Sequence, residues 1–212
     1  IISMLILLTK QGVLRYNILI PSIVNRSVSH LDISGRSRHR LWYHIGHHLF
    51  KLYFPLRFRL KISVRKPVAK PYLLLTNHVT DLDPLLLCAS FPEPMYFVAS
   101  EHIFRLGWVS QLLNWLVAPI ARQKGGNANA PVMAALRHLK AGHNVAFFPE
   151  GNRSWDGMTG RFPESTGKFI RTAAAAGASL VTYRLDGAYF ASPRWAGAAI
   201  RKGLISGGVV GI

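Results

Sequence analysis

The sequence predicts an α/β domain with a mostly parallel central sheet flanked by helices, preceded by a basic amphipathic helical region. After residue 57, short apolar runs alternate with helical patterns, and strands that alternate with helices of this length indicate a parallel sheet. Half of the 212 residues are hydrophobic and 17% are charged, so the chain can bury a core and is not disordered. We therefore expect a helical region over residues 1–56 and the α/β domain over residues 57–212.

The first 56 residues mix apolar and basic side chains in a helical pattern that ends at Pro55. The mixture is clearest in two stretches, Leu41–Ile45 and Leu49–Phe54. An amphipathic helix of this composition is typical of the interface between a bilayer and water. The apolar run Ile1–Leu8 is far shorter than the roughly 20 residues that a spanning helix needs, so we expect the region to associate with a membrane as a peripheral or monotopic element.

The charge of the chain is strongly positive and unevenly distributed. The formal net charge is +17, and residues 1–70 hold thirteen basic side chains against one acid, Asp32. Such a field attracts polyanions, which means nucleic acid or an anionic lipid surface. The basic residues lie among apolar ones and no nucleic-acid-binding motif is present. We therefore predict a membrane surface with anionic lipids as the partner and no nucleic acid, with a nucleic-acid-binding module as the alternative.

Apolar patterns predict the strands. Residues 57–65 alternate strictly, which predicts a half-exposed strand. Tyr72–Thr76 is a continuous apolar run of the kind found in strands buried on both faces. Similar runs predict three further buried strands, at Met95–Ala99, Val145–Phe148 and Leu180–Leu185. The chain ends in a strand-like run, Gly207–Ile212, without a terminating signal, and it begins without Met, so we expect a fragment of a longer protein.

Two segments have the pattern of amphipathic helices. In Pro131–Ala141 the apolar residues recur at i, i+3, i+4 and i+7. Pro131 suits the first turn of a helix and Gly142 suits the position after its last residue. Ser165–Ala176 is a second helix, closed by Gly177. These helices lie between the predicted strands, as the α/β class requires.

Three polar clusters follow apolar segments, two of which are predicted strands and the third the short Pro119-Ile120 pair. They are Asn77–Asp83, Arg122–Lys124 and Pro149–Ser154. Active residues of open α/β sheets collect on loops that leave the carboxyl ends of the strands. The sequence therefore predicts one site built from these three loops.

The first cluster holds a histidine with carboxylates nearby, which is the minimal unit for deprotonating a hydroxyl. Imidazole accepts a proton near neutral pH, and a carboxylate on its other nitrogen fixes the tautomer. Residues five apart on a helix point about 140° away from each other, so His78 and Asp83 can meet only across a turn. Pro84 favours an extended conformation at Asp83. On spacing alone, Asp81 is an alternative partner for His78.

The other two clusters supply cations and a glycine. Arginine suits bidentate recognition of phosphate, which favours Arg122 and Arg153 as anion ligands, with Lys124 nearby. Gly151 lets a ligand approach the backbone closely. Arg184 is a further candidate for a phosphate contact. The alternative for each cation is a solvated surface charge.

Together these residues carry a family resemblance. His78 followed by Asp83 resembles the His-x4-Asp motif of the glycerolipid acyltransferases, the lysophosphatidic acid acyltransferase family. Phe148–Ser154 resembles that family's Phe-Pro-Glu-Gly-x-Arg-Ser motif, and Pro119–Arg122 resembles an intervening motif that ends in Arg. The order and separation of the motifs also agree, and the resemblance covers roughly residues 72–190.

The resemblance implies a reaction and a role for each matching residue. His78 would deprotonate the free hydroxyl of a lysophosphatidic-acid-like acceptor, which then attacks the thioester of an acyl-CoA or acyl-carrier protein, and Asp83 would orient His78. The residues that would hold the phosphate-bearing acceptor are Arg122, Glu150, Gly151 and Arg153. No covalent acyl-enzyme, no metal and no cofactor beyond the acyl thioester co-substrate are implied. The expected setting is phospholipid biosynthesis at the cytoplasmic face of the cell membrane.

The chain departs from the family pattern at two points that concern acceptor binding. Pro119 stands where the family often has Phe, and Val181–Leu185 lacks the Val-Pro pair typical of a late strand. These departures bear on the identity of the acceptor more than on the reaction. Separately, a catalytically inactive, lipid-binding relative is the second alternative. The presence of His78, Asp83 and Glu150 argues against it.

Overall fold

The computed structural model of the protein describes residues 33–63, 68–100, 120–122, 129–191, 195 and 204–211. These residues form five helices and seven strands. In chain order they are α1 (Ile33–Phe58), β1 (Lys61–Ile62), β2 (Tyr72–Thr76), α2 (Asp83–Ser90), β3 (Met95–Ser100), β4 (Ile120–Arg122), α3 (Asn129–Lys140), β5 (Asn144–Phe147), α4 (Glu164–Ala175), β6 (Ser179–Asp186), α5 (Ala188–Ala191) and β7 (Ser206–Gly211).

The strands form one sheet in the order β1-β7-β6-β2-β5-β3-β4. Five of them, β6, β2, β5, β3 and β4, run parallel to one another. At one side β7 pairs antiparallel with β6, and β1 pairs parallel with β7. This arrangement confirms the predicted α/β class with a mostly parallel sheet. The five parallel strands end at the same edge of the sheet, here called the carboxyl edge, at Thr76, Ser100, Arg122, Phe147 and Asp186.

A hydrophobic core lies on each face of the sheet. Leu74 and its neighbours in β5 and β6 pack on one face with side chains of α1 and α2. Leu73 packs on the other face with Leu136 of α3 and Phe169 of α4. Burying one such side chain is worth about 1.5–3 kcal/mol, so the sheet is a firm platform for loops at its carboxyl edge.

The helix predicted to end at Pro55 runs on to Phe58, and only Lys61–Ile62 of the strand predicted over residues 57–65 is extended. Packing explains both differences. Phe54 and Phe58, one helical turn apart, are buried with ring centroids 5.9 Å apart, whereas Pro55 between them faces solvent. The helix ends where Arg59 adopts a positive φ of 52°. The prediction for residues 1–32 lies outside the described residues.

α1 packs against α2 of the α/β unit. The Tyr43 hydroxyl donates a hydrogen bond to the Phe91 carbonyl at 3.1 Å, and His47 Nδ1 donates to the Cys88 carbonyl at 2.8 Å. Burial lowers the pKa of His47 and raises the pKa of the Cys88 thiol to about 12. The boundary predicted between residues 56 and 57 falls inside α1. That residues 1–56 bind a membrane while residues 57–212 form the acyltransferase domain stays a prediction.

The remaining predicted elements agree with the structure to within a few residues at their ends. α3 and α4 are followed by Gly142 and Gly177, whose φ values of 81° and 86° belong to the left-handed region that glycine adopts easily. None of the helices within the described ranges combines the length and the apolar character needed to cross a membrane.

Candidate active site

The turn between β2 and α2 brings His78 and Asp83 together. His78 Nδ1 lies 2.8 Å from Asp83 Oδ2, with the His78 side chain 20% exposed and the Asp83 side chain fully buried. The predicted turn between the two residues is present, but Asp83 is the first residue of α2 rather than an extended residue. Pro84 is accommodated because the first turn of a helix does not use its backbone N–H groups.

The carboxylate of Asp83 is saturated with hydrogen bonds. Oδ2 also accepts from the backbone N–H groups of Val79 at 2.7 Å and Thr80 at 3.0 Å, while Oδ1 accepts from the Thr80 hydroxyl at 2.7 Å. A carboxylate only accepts, so the shared hydrogen belongs to His78 Nδ1, and in the neutral imidazole the other ring nitrogen, Nε2, therefore has a free lone pair. No described residue hydrogen-bonds Nε2. This tautomer is the one that a general base requires.

Asp81, the alternative partner on spacing alone, lies elsewhere. Its carboxylate is 76% exposed and forms an ion pair with Arg153. The geometry therefore favours Asp83 as the residue that orients His78. The two acids differ because Asp83 opens a helix that packs on the core, whereas Asp81 lies at the outer side of the turn.

The loop after β5 makes three contacts with His78. Glu150 Oε1 accepts a hydrogen bond from the His78 backbone N–H at 3.1 Å, and the Ser154 N–H donates to the His78 carbonyl at 2.7 Å. The Phe148 ring stacks on the imidazole, with centroids 4.0 Å apart and planes 23° apart. Gly151, at the turn of this loop, has a φ of 70°. The two motif loops thus form one hydrogen-bonded unit.

Glu150 has a structural position that the sequence did not reveal. Its second oxygen, Oε2, accepts from the Gly160 N–H at 3.1 Å, and the side chain is buried. Glu150 therefore links the His78 backbone to the loop that follows residue 154. The role in acceptor binding that the resemblance implies stays a prediction, and a carboxylate so occupied suits positioning better than contact with an anionic phosphate.

Asn77 and Thr80 are further residues that sequence reasoning left without a role. The Asn77 amide donates to the Leu185 carbonyl at 2.8 Å and accepts from the Leu185 N–H at 2.9 Å, which ties the end of β2 to the end of β6. The Thr80 hydroxyl accepts from the Leu82 N–H at 3.0 Å while it donates to Asp83. A Thr hydroxyl that accepts from the backbone N–H two residues later forms a local turn typical of Ser and Thr.

The predicted cations are placed differently from one another. Arg153 lies in the loop beside His78, paired with Asp81. Arg122 is the last residue of β4, three strand positions from β2 or about 14 Å across the sheet; its side chain and Lys124 lie outside the described residues. Arg184 is exposed and pairs with Asp186 at 2.7 Å. Among the described residues no group of three or more potential ligands is arranged to hold a metal.

A cleft of about 520 Å³ opens at the carboxyl edge beside these loops. Its walls include Asn77 and Val79, the two neighbours of His78, but not the imidazole itself. The described residues of the wall carry three acids, Glu150, Asp156 and Asp186, and one base, Arg184; the remaining residues are mostly apolar or uncharged. This lining suits an uncharged or apolar part of a ligand better than a phosphate.

Comparisons with known proteins identify the family of the chain. Residues 57–186 match the family model described as Acyltransferase. Over 120 residues the chain is 26% identical to the 1-acyl-sn-glycerol-3-phosphate acyltransferase of Borreliella burgdorferi, which covers 56% of this chain and 47% of the relative. It is 30% identical over 120 residues to the chloroplastic enzyme LPAT1 of Arabidopsis thaliana, named a 1-acyl-sn-glycerol-3-phosphate acyltransferase, with 55% and 32% covered.

The fold is similar to that of a solved structure, the 1-acyl-sn-glycerophosphate (LPA) acyltransferase PlsC from Thermotoga maritima. The TM-score is 0.64 and the sequence identity 19%, and the match covers 89% of this chain and 75% of that chain. At this identity the likeness concerns the fold alone. The chain spans about a third to a half of the length of the curated relatives it matches.

Proposed function

Because this chain belongs to the acyltransferase family, whose model matches residues 57–186, we propose that it transfers a fatty acyl group from acyl-CoA or acyl-carrier protein to the free hydroxyl of a lysophosphatidic-acid-like acceptor. The observation that carries the proposal is the 2.8 Å hydrogen bond between His78 Nδ1 and the buried Asp83 carboxylate. The names of the relatives support the acceptor class, and phospholipid biosynthesis is the corresponding process.

In the proposed reaction His78 Nε2 takes the proton of the acceptor hydroxyl as that oxygen attacks the carbonyl carbon of the thioester. The carbon–oxygen bond forms, the tetrahedral intermediate collapses, and the carbon–sulfur bond breaks. The leaving thiolate then takes the proton from the imidazolium. Asp83 stabilises the imidazolium while it exists, and general-base catalysis of this kind contributes on the order of 10²–10⁴-fold to the rate.

The acceptor phosphate is assigned to the cationic side of the site. Arg153 belongs to the same loop as the Ser154 N–H that holds His78, so a phosphate on Arg153 would keep the attached glycerol near the imidazole. The phosphate would replace the Asp81 carboxylate as the partner of the Arg153 guanidinium. This replacement is reasonable because arginine forms bidentate hydrogen bonds with phosphate as well as with carboxylate. Arg122 and Gly151 complete the proposed acceptor set, with Glu150 holding the loop in place.

The outward face of α1 supports docking on a membrane. Five apolar residues recur every three or four positions and are 46–78% exposed: Leu41, Ile45, Leu49, Leu52 and Leu56. Residues 33–63 contain seven basic side chains and no acid. An apolar stripe bordered by cations is typical of a helix that lies on an anionic bilayer. α1 would thus hold the protein as a peripheral element at the cytoplasmic face, where lipid acceptors reach the site from the bilayer.

A panel of acceptors tests the proposal. The purified chain would be given one acyl-CoA together with lysophosphatidic acid, other lysophospholipids or glycerol 3-phosphate, and the release of free CoA thiol would be measured. We expect release that depends on lysophosphatidic acid. The assay would be repeated with acyl-carrier protein as the donor. If the chain bound to vesicles but released no thiol with either donor and any acceptor, it would instead be an inactive lipid-binding relative.

A further inference from the structure

Large apolar side chains that face solvent lie at the cleft and beside it. They are 54–71% exposed and comprise Trp155, Met158, Phe162, Phe190 and Trp195. This set is here called the aromatic rim. Met158, Phe162 and Phe190 also line the cleft, so the rim and the cleft form a continuous surface.

Tyr189 joins the parts of the rim into one unit. Its hydroxyl donates a hydrogen bond to the Trp155 carbonyl at 3.1 Å and accepts one from Trp195 Nε1 at 3.1 Å. Gly157 packs so closely on the Tyr189 ring that a Cβ there would lie 2.8 Å from it. The loop after residue 154 and α5 are therefore held together.

The loop that carries Trp155, Met158 and Phe162 is held in place by hydrogen bonds. Asp156 accepts from the Ser154 hydroxyl and from the Met158 N–H, both at 3.0 Å. The Ser154 hydroxyl also accepts from the Gly157 N–H at 2.9 Å, and Gly160 is bound to Glu150. The loop thus holds Trp155 and Met158 outward although burying them would be favourable. Contiguous exposed apolar patches of this kind mark interaction sites.

We propose that the aromatic rim inserts into the interfacial layer of an anionic bilayer, as a second membrane contact in addition to the stripe of α1. Tryptophan and tyrosine are typical of the headgroup level because their rings are apolar and their N–H or O–H groups are polar. The positive charge that complements an anionic surface lies on the neighbouring α1 region, where residues 33–63 hold seven basic side chains and no acid.

The rim also lies near the end of α1. The Ile205 N–H donates to the Phe58 carbonyl at 3.3 Å, and the Leu204 carbonyl packs against Gly187, the residue before α5. The last turn of α1 and the rim therefore lie at the same side of the carboxyl edge. The inference rests on the proposed function, because a lipid acceptor would then pass from the bilayer into the cleft beside His78.

A fluorescent label tests the contact directly. Met158→Cys would be labelled with a polarity-sensitive maleimide in the otherwise native chain, where Cys88 is fully buried, and the native chain treated with the same maleimide gives the background. Ala141→Cys is the matched control, an exposed position at the opposite edge of the sheet. With vesicles of equal parts phosphatidylcholine and phosphatidylglycerol, we expect a blue shift and quenching by lipid-attached nitroxide at position 158 and neither at position 141.

A second pair of variants measures the strength of the contact. Met158→Glu combined with Phe190→Glu is expected to weaken cosedimentation with the same vesicles about tenfold or more, because two apolar side chains would no longer be buried. Ala141→Glu, which adds the same kind of charge away from the rim, is expected to bind within about twofold of the native chain.

The outcomes separate this inference from the proposed function. Cosedimentation without a shift at position 158 would overturn the rim contact and leave docking through α1 and acyl transfer intact. A shift that grows with protein concentration in the absence of vesicles would assign the rim to a second copy of this chain and would also overturn it. A shift at position 158 in a chain that releases no thiol would support the rim contact and reject the proposed function.

Discussion

Two neighbouring regions at the carboxyl edge differ in whether their side chains are buried and hydrogen-bonded or exposed and apolar. In the turn from His78 to Asp83, four donors converge on one buried carboxylate. In the aromatic rim, hydrogen bonds among backbone and polar groups hold the apolar side chains out in solvent. The polar groups of the first region find their hydrogen-bond partners within the molecule, whereas no apolar surface of the described residues covers the apolar side chains of the second.

The contrast separates a site of chemistry from a surface for docking. A general base needs a fixed tautomer and orientation, which buried hydrogen bonds provide before substrate arrives. A docking surface needs apolar area that stays available until the partner covers it. The stripe on α1 belongs with the rim in this respect, because its opposite side is buried against α2 while its outer side remains exposed.

The largest expected effect on activity comes from a substitution of Asp83, the carboxylate on which the hydrogen bonds of the first region converge. Asp83→Asn replaces an acceptor by a group that also donates, so it would favour the wrong tautomer of His78 and leave buried N–H groups unsatisfied. We expect kcat for acyl transfer to fall about 10³–10⁴-fold and the free energy of unfolding to fall by about 1–3 kcal/mol for each unsatisfied donor. Thiol release and denaturant unfolding measure the two effects.

The matched control for Asp83→Asn is Asp81→Asn. Asp81 is exposed and its pair with Arg153 is a surface pair, so stability should fall by less than about 1 kcal/mol. If kcat for acyl transfer fell equally in the two variants, the assignment of Asp83 as the orienting acid would be rejected.

The next effect concerns the phosphate. Arg153→Ala would remove a charged contact with the acceptor, and hydrogen bonds to charged groups are worth about 1.5–3 kcal/mol. KM for lysophosphatidic acid should rise about tenfold to a hundredfold. KM for monoacylglycerol, which lacks the phosphate, should stay the same if that acceptor is used. Unchanged KM for lysophosphatidic acid would remove Arg153 from the phosphate site.

Glu150→Gln distinguishes the two roles of Glu150. The substitution keeps the shape of the side chain but turns one of its two acceptors into a donor that faces a backbone N–H. If Glu150 positions His78, kcat should fall about tenfold to a hundredfold, from the loss of one buried hydrogen bond, and KM for the acceptor should change by less than about twofold. A rise in KM at unchanged kcat would restore the acceptor-binding role that the resemblance implies.

The smallest expected effect is in the exposed stripe. Leu52→Ser combined with Leu56→Ser should weaken vesicle binding about tenfold, yet change the free energy of unfolding by no more than about 0.5 kcal/mol per site because both residues are exposed. Val210→Ser, at an exposed position of β7, is the control and should leave vesicle binding unchanged. Loss of stability without loss of binding would mean that the stripe belongs to the fold.

Much of the fold could be predicted because it depends on patterns along the chain. The apolar run Tyr72–Thr76 is extended and buried as predicted, and Gly142 and Gly177 follow helices. The continuation of α1 past Pro55 could not be predicted, since it depends on Phe54 and Phe58 reaching a core built from distant residues. Strand order and the antiparallel pairing of β7 likewise depend on contacts that are remote in sequence.

The candidate site shows the same division. The approach of His78, Asp83 and Arg153 follows from loops that leave neighbouring parallel strands, and it was expected. The choice between Asp81 and Asp83 was open on spacing, because it is decided by which acid is buried. The bonds of Glu150 to two backbone N–H groups join segments that no local pattern relates.

The most direct test of the central claim is the turnover of His78→Ala, measured as thiol release from acyl-CoA in the presence of lysophosphatidic acid. The backbone hydrogen bonds of His78 to Glu150 and Ser154 do not depend on its side chain, so the variant should still fold and bind to vesicles. Loss of the imidazole hydrogen bond to Asp83 should lower the free energy of unfolding by about 1.5–3 kcal/mol. We expect turnover to fall on the order of 10²–10⁴-fold, with partial recovery when free imidazole is added. Turnover equal to that of the native chain, in a variant that is folded and bound to vesicles, would contradict the account.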